Sequence, residues 1–529
     1  MSSFYNSRFI AEQSSWLESQ LSQLDYLREL FESRHKWLLT KKGGLNAANT
    51  FIRYNLSLLK NTCLLPTCAG LVDCSYVADM SPQKIEDFAE RLSFRCQRIV
   101  DIELLPAESI KTVMIACGLS SDVLHSYDDE DWYNYRARAS CKSWWRRVMR
   151  KHCTRIVEGV CRDTGYVKRG ISPYASQFAN QAHKENKARN AAILESITAT
   201  NSAGQSYSLA DLALLGQANP VNRRNELMVR IRGAEEYAVK QGDSSRFVTI
   251  TCPSKYHVFS GSRRNSKYGG YSPRAAIQYL NKVWAKVRAK LNRLDVHFYG
   301  LKVVEPHHDG CPHWHVLLFG KCDALDQFDS VCSDYALRED GDEKGAAKNR
   351  YLSVKIDPLK GSAAGYVAKY ISKNVDGFAV GDDFEANAPA DQTAKSVSAW
   401  ASIWGIRQFS FIGFPSVTMY RELRRAANNR DRLAAGAPIR LIDIADKADW
   451  CRYMFAMLPG KTGKKEWPVE LLKLETSLKT QELNYGKYGE IVEAIKGLIG
   501  PDFLIITRPH EWKMTFKQHG ATRAPPVQL

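Results

Sequence analysis

The stretch VHFYGLKVVEPHHDGCPHWHVLLF, residues 296–319, decides how the rest of the chain is read. Two apolar, β-branched runs, 296–305 and 312–319, flank a turn signal at Asp309-Gly310, which predicts an antiparallel hairpin. His313 and His315 stand two apart in the second run, so on a strand both imidazoles leave one face and Trp314 the other. Such a pair offers two nitrogen ligands to a divalent cation. Imidazole suits zinc, and Mg²⁺ or Mn²⁺ becomes suitable once oxygens complete the shell. Exposed or hydrogen-bonded histidine pairs share this spacing, so the pair alone does not decide. Glu305 ends the first run and joins the pair only if the register allows. A two-residue loop centred on Asp309-Gly310 would set Glu305 opposite Trp314, on the wrong face. The expectation is a connection of odd length, or a bulge, that brings Glu305 to the histidines.

Outward from the hairpin, strands and helices alternate. FVTITC (247–252) is β-rich and closes at Pro253. A helix is predicted after Ser272-Pro273, with Ala276, Leu280, Val283, Trp284, Val287 and Leu291 on one stripe. The acidic segment 323–343 reads as a helix and a loop, 351–357 as a strand, and 362–374 as a helix. Residues 376–398, rich in Gly, Asp, Ala and Pro, read as a loop; 406–414 is a strand, and a helix over 417–428 closes the unit. The class is α+β: a central antiparallel sheet flanked by helices over 241–428. Residues 1–240 read as a mostly helical N-terminal region, and 429–529 as a helix-rich region of unassigned role.

The second chemical signal is GYVAKYISK, 365–373. A helix here puts Tyr366, Lys369, Tyr370 and Lys373 on one face and Ala364, Val367, Ala368 and Ile371 on the other. A phenol is a poor nucleophile near neutral pH, because its pKa is ~10. It serves when a cation polarises the phosphate it attacks and nearby positive charge favours phenolate. Tyr366 and Tyr370 are therefore candidate catalytic residues, and Lys369 and Lys373 candidate DNA-phosphate contacts. Without the metal signal the same helix would read as an ordinary amphipathic one with snorkelling lysines.

The composition fits a polyanionic partner. Among 529 residues, 74 Lys and Arg against 57 Asp and Glu leave a net charge of +17. The beginning of the chain lacks the pattern of a secretory signal, no apolar run is long enough to span a membrane, and the expected location is cytoplasmic. From Arg136 to Arg169, eleven basic residues surround Trp144 and Trp145. This tract suits either a strand-binding surface with rings under bases or a solvated helix whose tryptophans face a core. The 13 cysteines form no disulfide pattern, and Cys141, His152, Cys153 and Cys161 match no standard zinc spacing. Gly460-Lys461-Thr462 suggests a phosphate-binding loop, but Phe455 stands where that motif needs glycine, so no nucleotide cofactor is expected.

FVTITCPS (247–254), EPHHDGCPHWH (305–315) and GYVAKYISKN (365–374), in that order, resemble the three motifs of the HUH endonucleases. Within that superfamily the chain is most similar to the replication gene A proteins of temperate tailed phages, two-tyrosine rolling-circle initiators. Residues 219–238 and 400–425 share the likeness, which covers about 130–425. The resemblance implies an RRM/ferredoxin-like antiparallel core. It also implies Mg²⁺ or Mn²⁺ on His313 and His315 with Glu305 as third ligand, and Tyr366 and Tyr370 as nucleophiles. The substrate would be single-stranded origin DNA, and the partners a host replicative helicase and DNA polymerase. A conjugative relaxase, a single-strand transposase and a non-catalytic origin-binding protein are the alternatives.

Overall fold

Both runs of the 296–319 segment form strands, the first from Tyr299 onward, and every residue of each strand is buried. They are β2 (Tyr299–Pro306) and β3 (Pro312–Gly320), flanked by β1 (Ser244–Ile250), β4 (Tyr351–Lys355) and β5 (Phe409–Ile412). The sheet order is β5-β2-β3-β1-β4, with every neighbour antiparallel. The computed structural model describes residues 2–22, 24, 27–62, 81–103, 132–261, 263–378, 381–383, 386, 388–430, 433, 436–459, 467–477 and 480–517. Gly460-Lys461-Thr462 lies outside them.

The unbroken apolar texture of β2 and β3 follows from layers on both faces. On one face, Phe247, Leu301, Val303, Leu317 and Phe319 pack with helices α1 (Pro220–Gln241), α4 (Ala363–Val375) and α6 (Val417–Ala427). Helices α7 (Ile439–Asp446) and α8 (Trp450–Met457) join the same core. On the other face, Val248, Val304, Trp314, Val316 and Leu318 pack with α2 (Pro273–Arg293), α3 (Cys322–Leu337) and α5 (Ala390–Trp404). Burying a Leu or Val of this kind stabilises the fold by roughly 1.5–3 kcal/mol. Helix α2 starts where Ser272 caps it and Pro273 occupies its first turn, as the sequence predicts.

The described residues fall into two compact units, one within 2–161 with 485–492, and one within 162–484 with 493–517. In the first, the described regular elements are helices, including Ser2–Leu21, Leu27–Leu39, Gly44–Thr62, Pro82–Glu103 and Trp132–Ala139. None of the described helices is long and apolar enough to cross a membrane. Helix α1 ends at Gln241 and shares the core of the sheet, through Leu227, Ile231, Ala234 and Ala238.

Two expectations need correction. The loop expected over 376–398 ends early, because α5 starts at Ala390 and buries Ala394, Val397, Ala401 and Trp404 on a helical stripe. The composition bias of its first residues hid that periodicity. Among the described residues after 428, the α-helices are α7 and α8. Further on, strands Glu470–Leu474, Ala494–Gly500 and Phe503–Ile506 form one sheet, and Trp512–Phe516 pairs with Ile197–Asn201 in another. These runs are short, and their partners are distant in sequence, so no local pattern marks the pairing.

For the basic tract the structure decides between the two readings, in favour of tryptophans that face a core. Trp144 and Trp145 are 7% and 0% exposed, stacked edge-on at 4.9 Å, and the Trp145 indole N–H donates to the Ala139 carbonyl at 2.7 Å. Both rings are buried, as are Met149 and Cys153 of the same helix, so they cannot lie under bases. Lys142 and Arg146 on the same helix pair with Glu86. Cys153 and Cys161 lie eight residues apart on the same helix, about 12 Å along its axis, too far to share one zinc.

Candidate metal centre and tyrosine helix

Strands β2 and β3 are joined by 307–311, five residues, and the register pairs Glu305 with His313 and Val303 with His315. The odd length therefore sets all three polar groups on one face, at the end of the core that α4 covers. The connection is held tightly. Asp309 is 0% exposed; its carboxylate accepts from the backbone N–H of Val258 at 2.8 Å and of Cys311 at 3.0 Å. Burial alone would raise this carboxyl, but His257, the Arg162 guanidinium and the Cys311 N–H hold it well below the carboxylate range. The Arg162 side chain donates to the Asp309 carbonyl at 2.6 Å, and the Trp400 indole to the Gly310 carbonyl at 2.9 Å. Gly310 takes φ 79°, a conformation that favours glycine.

Glu305, His313 and His315 are all buried, and one ligand atom of each lies within 4.8 Å of the others. The His313 and His315 Nε2 atoms are 2.9 Å apart, and His315 Nε2 is 4.0 Å from the Glu305 carboxylate. Two donors at right angles about a cation ~2.1 Å from each stand about 3 Å apart, and donors on opposite sides about 4 Å. The residues present thus fit a divalent cation. Thr249 Oγ1 lies 3.1 Å from His315 Nδ1 and can accept its proton, leaving Nε2 with the lone pair. Burial first, then His307, His315 and Lys373, push His313 well below the ordinary imidazole value, so it is neutral, the form that ligates. Among the described residues, this is the one cluster of three or more His, Cys, Asp or Glu groups with such spacing.

Helix α4 carries the tyrosines. Ser362 caps it by accepting from the Gly365 N–H at 2.9 Å, and the Glu235 carboxylate of α1 accepts from the Ala363 and Ala364 N–H groups. Ala363, Ala364, Val367 and Ile371 bury against the sheet. The expected polar face runs from open to closed along the helix. Tyr366 is 44% exposed and lines, with Gly361, Ser362, Gly365 and Lys369, a cavity of about 330 Å³. Tyr370 is half-buried; its ring lies 4.2 Å from His315 and stacks on Phe247 at 5.2 Å. Burial, then Glu305 and Tyr366, push its phenol up to about 12. The Lys369 ammonium stands 4.8 Å from the Tyr370 ring.

Lys373 is placed differently from Lys369. Its ammonium points inward, 3.6 Å from Glu305 and 3.3 Å from Asp383. Asp383 in turn accepts from the Tyr174 hydroxyl at 2.7 Å. Sequence reading missed Asp383, Tyr174, Phe247 and Asn374, whose side-chain amide donates to Glu305. Phe247 and Thr249 could have been found from their alternation on a strand paired with β3. Asp383 and Tyr174 have no local signal, since a two-residue strand, Asp382–Asp383, and a segment about 130 residues before the hairpin bring them in.

Residues 122–378 match the family model described as bacteriophage replication gene A protein (GPA). The replication gene A protein of Escherichia phage 186 is 38% identical over 386 residues, 71% of this chain and 55% of that protein. The replication protein of Haemophilus phage HP1 is 36% identical over 395 residues, 71% of this chain and 48% of its own length. A probable replication endonuclease from a prophage-like region of Salmonella typhimurium is 33% identical over 395 residues, 72% of this chain and 48% of its own. The chain thus spans about half the length of the curated relatives it matches. No solved structure matches it. Over residues 122–378, the chain belongs to the bacteriophage replication gene A protein family.

Proposed function

We propose that this chain is a metal-dependent, origin-specific single-strand DNA endonuclease and strand transferase that initiates rolling-circle replication of a phage genome. The observation that carries the reading is the Tyr370 ring at 4.2 Å from His315, itself one of three buried groups with metal-ligand spacing. Glu305, His313 and His315 would hold Mg²⁺ or Mn²⁺. Bound there, the ion would polarise the scissile phosphate and stabilise the charge that develops on it. Tyr366 or Tyr370 attacks the phosphorus with its phenolic oxygen. The bond to the 3′ oxygen breaks, the phosphate stays on the tyrosine at the 5′ end, and the phenolic proton ends on the departing 3′ hydroxyl. That hydroxyl primes synthesis by a host polymerase, with a host replicative helicase opening the duplex. The second tyrosine then cuts the regenerated origin, and the displaced 3′ hydroxyl reseals the first junction.

The geometry supports distinct parts for the two phenols. Tyr366 stands open beside Lys369, whose exposed ammonium is suited to a phosphate, while Tyr370 is packed against the ligand set. A phenol held at about 12 keeps its proton at neutral pH, so attack by Tyr370 requires positive charge at the phosphate. The test is incubation of a single-stranded origin oligonucleotide with the chain and Mn²⁺. A covalent adduct, mapped by peptide mass analysis to Tyr366 or Tyr370, is expected. Binding of the oligonucleotide with no adduct would refute the enzyme and favour an origin-binding protein.

A further inference from the structure

We propose that Asn374 is a positioning residue that sets the nucleophile helix against the metal carboxylate, and that Gln408 aims it. The proposal rests on the metal reading above and deepens it. Asn374 is 2% exposed. Its Nδ2 group donates twice, to Glu305 Oε1 and, at 2.7 Å, to the carbonyl of Tyr370 one turn earlier on α4. One amide therefore links the chain at the half-buried tyrosine to the third member of the ligand trio.

An asparagine amide can face either way, and the wrong way would turn its oxygen on the Glu305 carboxylate. Gln408, 7% exposed, decides between them. Its Nε2 donates to Asn374 Oδ1 at 3.1 Å and to the Asn374 carbonyl at 3.3 Å, which commits Oδ1 as acceptor and leaves Nδ2 for Glu305. Gln408 is tied to β2 in turn, because its carbonyl accepts from the Val304 N–H at 2.8 Å, beside Glu305. The loop closes on itself: β2, Glu305, Asn374, Gln408, and β2 again. Groups that orient a ligand without touching the metal change affinity or activity about 10–100-fold when removed.

The experiment measures Mn²⁺ binding by the EPR signal of the free ion, on the full chain without DNA, alongside adduct formation at saturating Mn²⁺. Asn374→Ala is expected to weaken Mn²⁺ binding about 10–100-fold and to leave adduct formation slow even when the ion saturates. Gln408→Met, of similar shape, removes only the aiming donor and is expected to weaken Mn²⁺ binding in the same direction by less. It also serves if Asn374→Ala does not fold. Wild-type Mn²⁺ affinity in a folded variant of either kind would overturn the positioning role while the metal reading stands. A wild-type chain that binds no Mn²⁺ would overturn both.

Discussion

Glu305 stands directly opposite His313 across the β2–β3 hairpin, because five residues rather than four or six join the strands. Side chains alternate with a period of two, so parity alone decides whether the carboxylate shares a face with the imidazoles. One glycine inserted after Gly310 makes the connection even. The expected outcome is loss of Mn²⁺ affinity by at least about tenfold, comparable to His313→Ala, with far-UV circular dichroism retained. Wild-type binding by the insertion variant would show that Glu305 takes no part.

The two phenols differ in setting, and single substitutions should separate them. Tyr366→Phe and Tyr370→Phe are each expected to lower covalent adduct yield on origin DNA, and the double variant to abolish it. Gel analysis of adduct over time reads this directly. Adduct formation by the double variant would exclude both tyrosines.

Lys369 is exposed on the open stretch of α4, whereas Lys373 is committed to Glu305 and Asp383. Lys369→Ala should weaken single-stranded DNA binding and flatten the slope of log affinity against log salt by about 0.7, one phosphate contact. Fluorescence anisotropy across a salt series measures it; an unchanged slope would remove Lys369 from the DNA path.

Asp309 is held ionised below its ordinary value, so the sign of its contribution is fixed. A depressed carboxyl stabilises the fold above the unfolded value of ~3.9, and that stabilisation is lost as pH falls below it. Asp309→Asn should therefore cost about 3 kcal/mol at pH 6, where Arg162 and His257 lose their buried counter-charge. The gap from wild type should narrow toward pH 3. Denaturant midpoints at the two pH values test this, and a gap that widens in acid would contradict it.

Trp145 is fully buried in the helical unit. Trp145→Ala should destabilise that unit by about 3–5 kcal/mol, seen as a lower denaturation midpoint of tryptophan fluorescence. A variant of unchanged stability with weakened DNA binding would restore the reading of these rings as a strand-binding surface.

Much of the site was legible because its parts are periodic. His313 and His315 share a strand face by alternation, and Tyr366 and Tyr370 share a helix face by turn. The need for an odd connection between Glu305 and His313 followed from parity alone. These are properties of a few consecutive residues, and backbone geometry imposes them wherever the element forms. The order of strands and helices over 241–428 was readable for the same reason, apart from α5, which the sequence reading missed as a helix.

Only the tertiary structure decided which charges meet. Lys369 and Lys373 look alike in sequence, four residues apart, yet one faces solvent and the other two carboxylates, because Asp383 approaches from the short strand Asp382–Asp383. The partners of Asn374, the burial of Trp144 and Trp145, and the strands after 469 depend on segments far away in the chain. A local pattern specifies the face on which a side chain sits; what waits on that face is set by packing, and packing is not written in the spacing of neighbours.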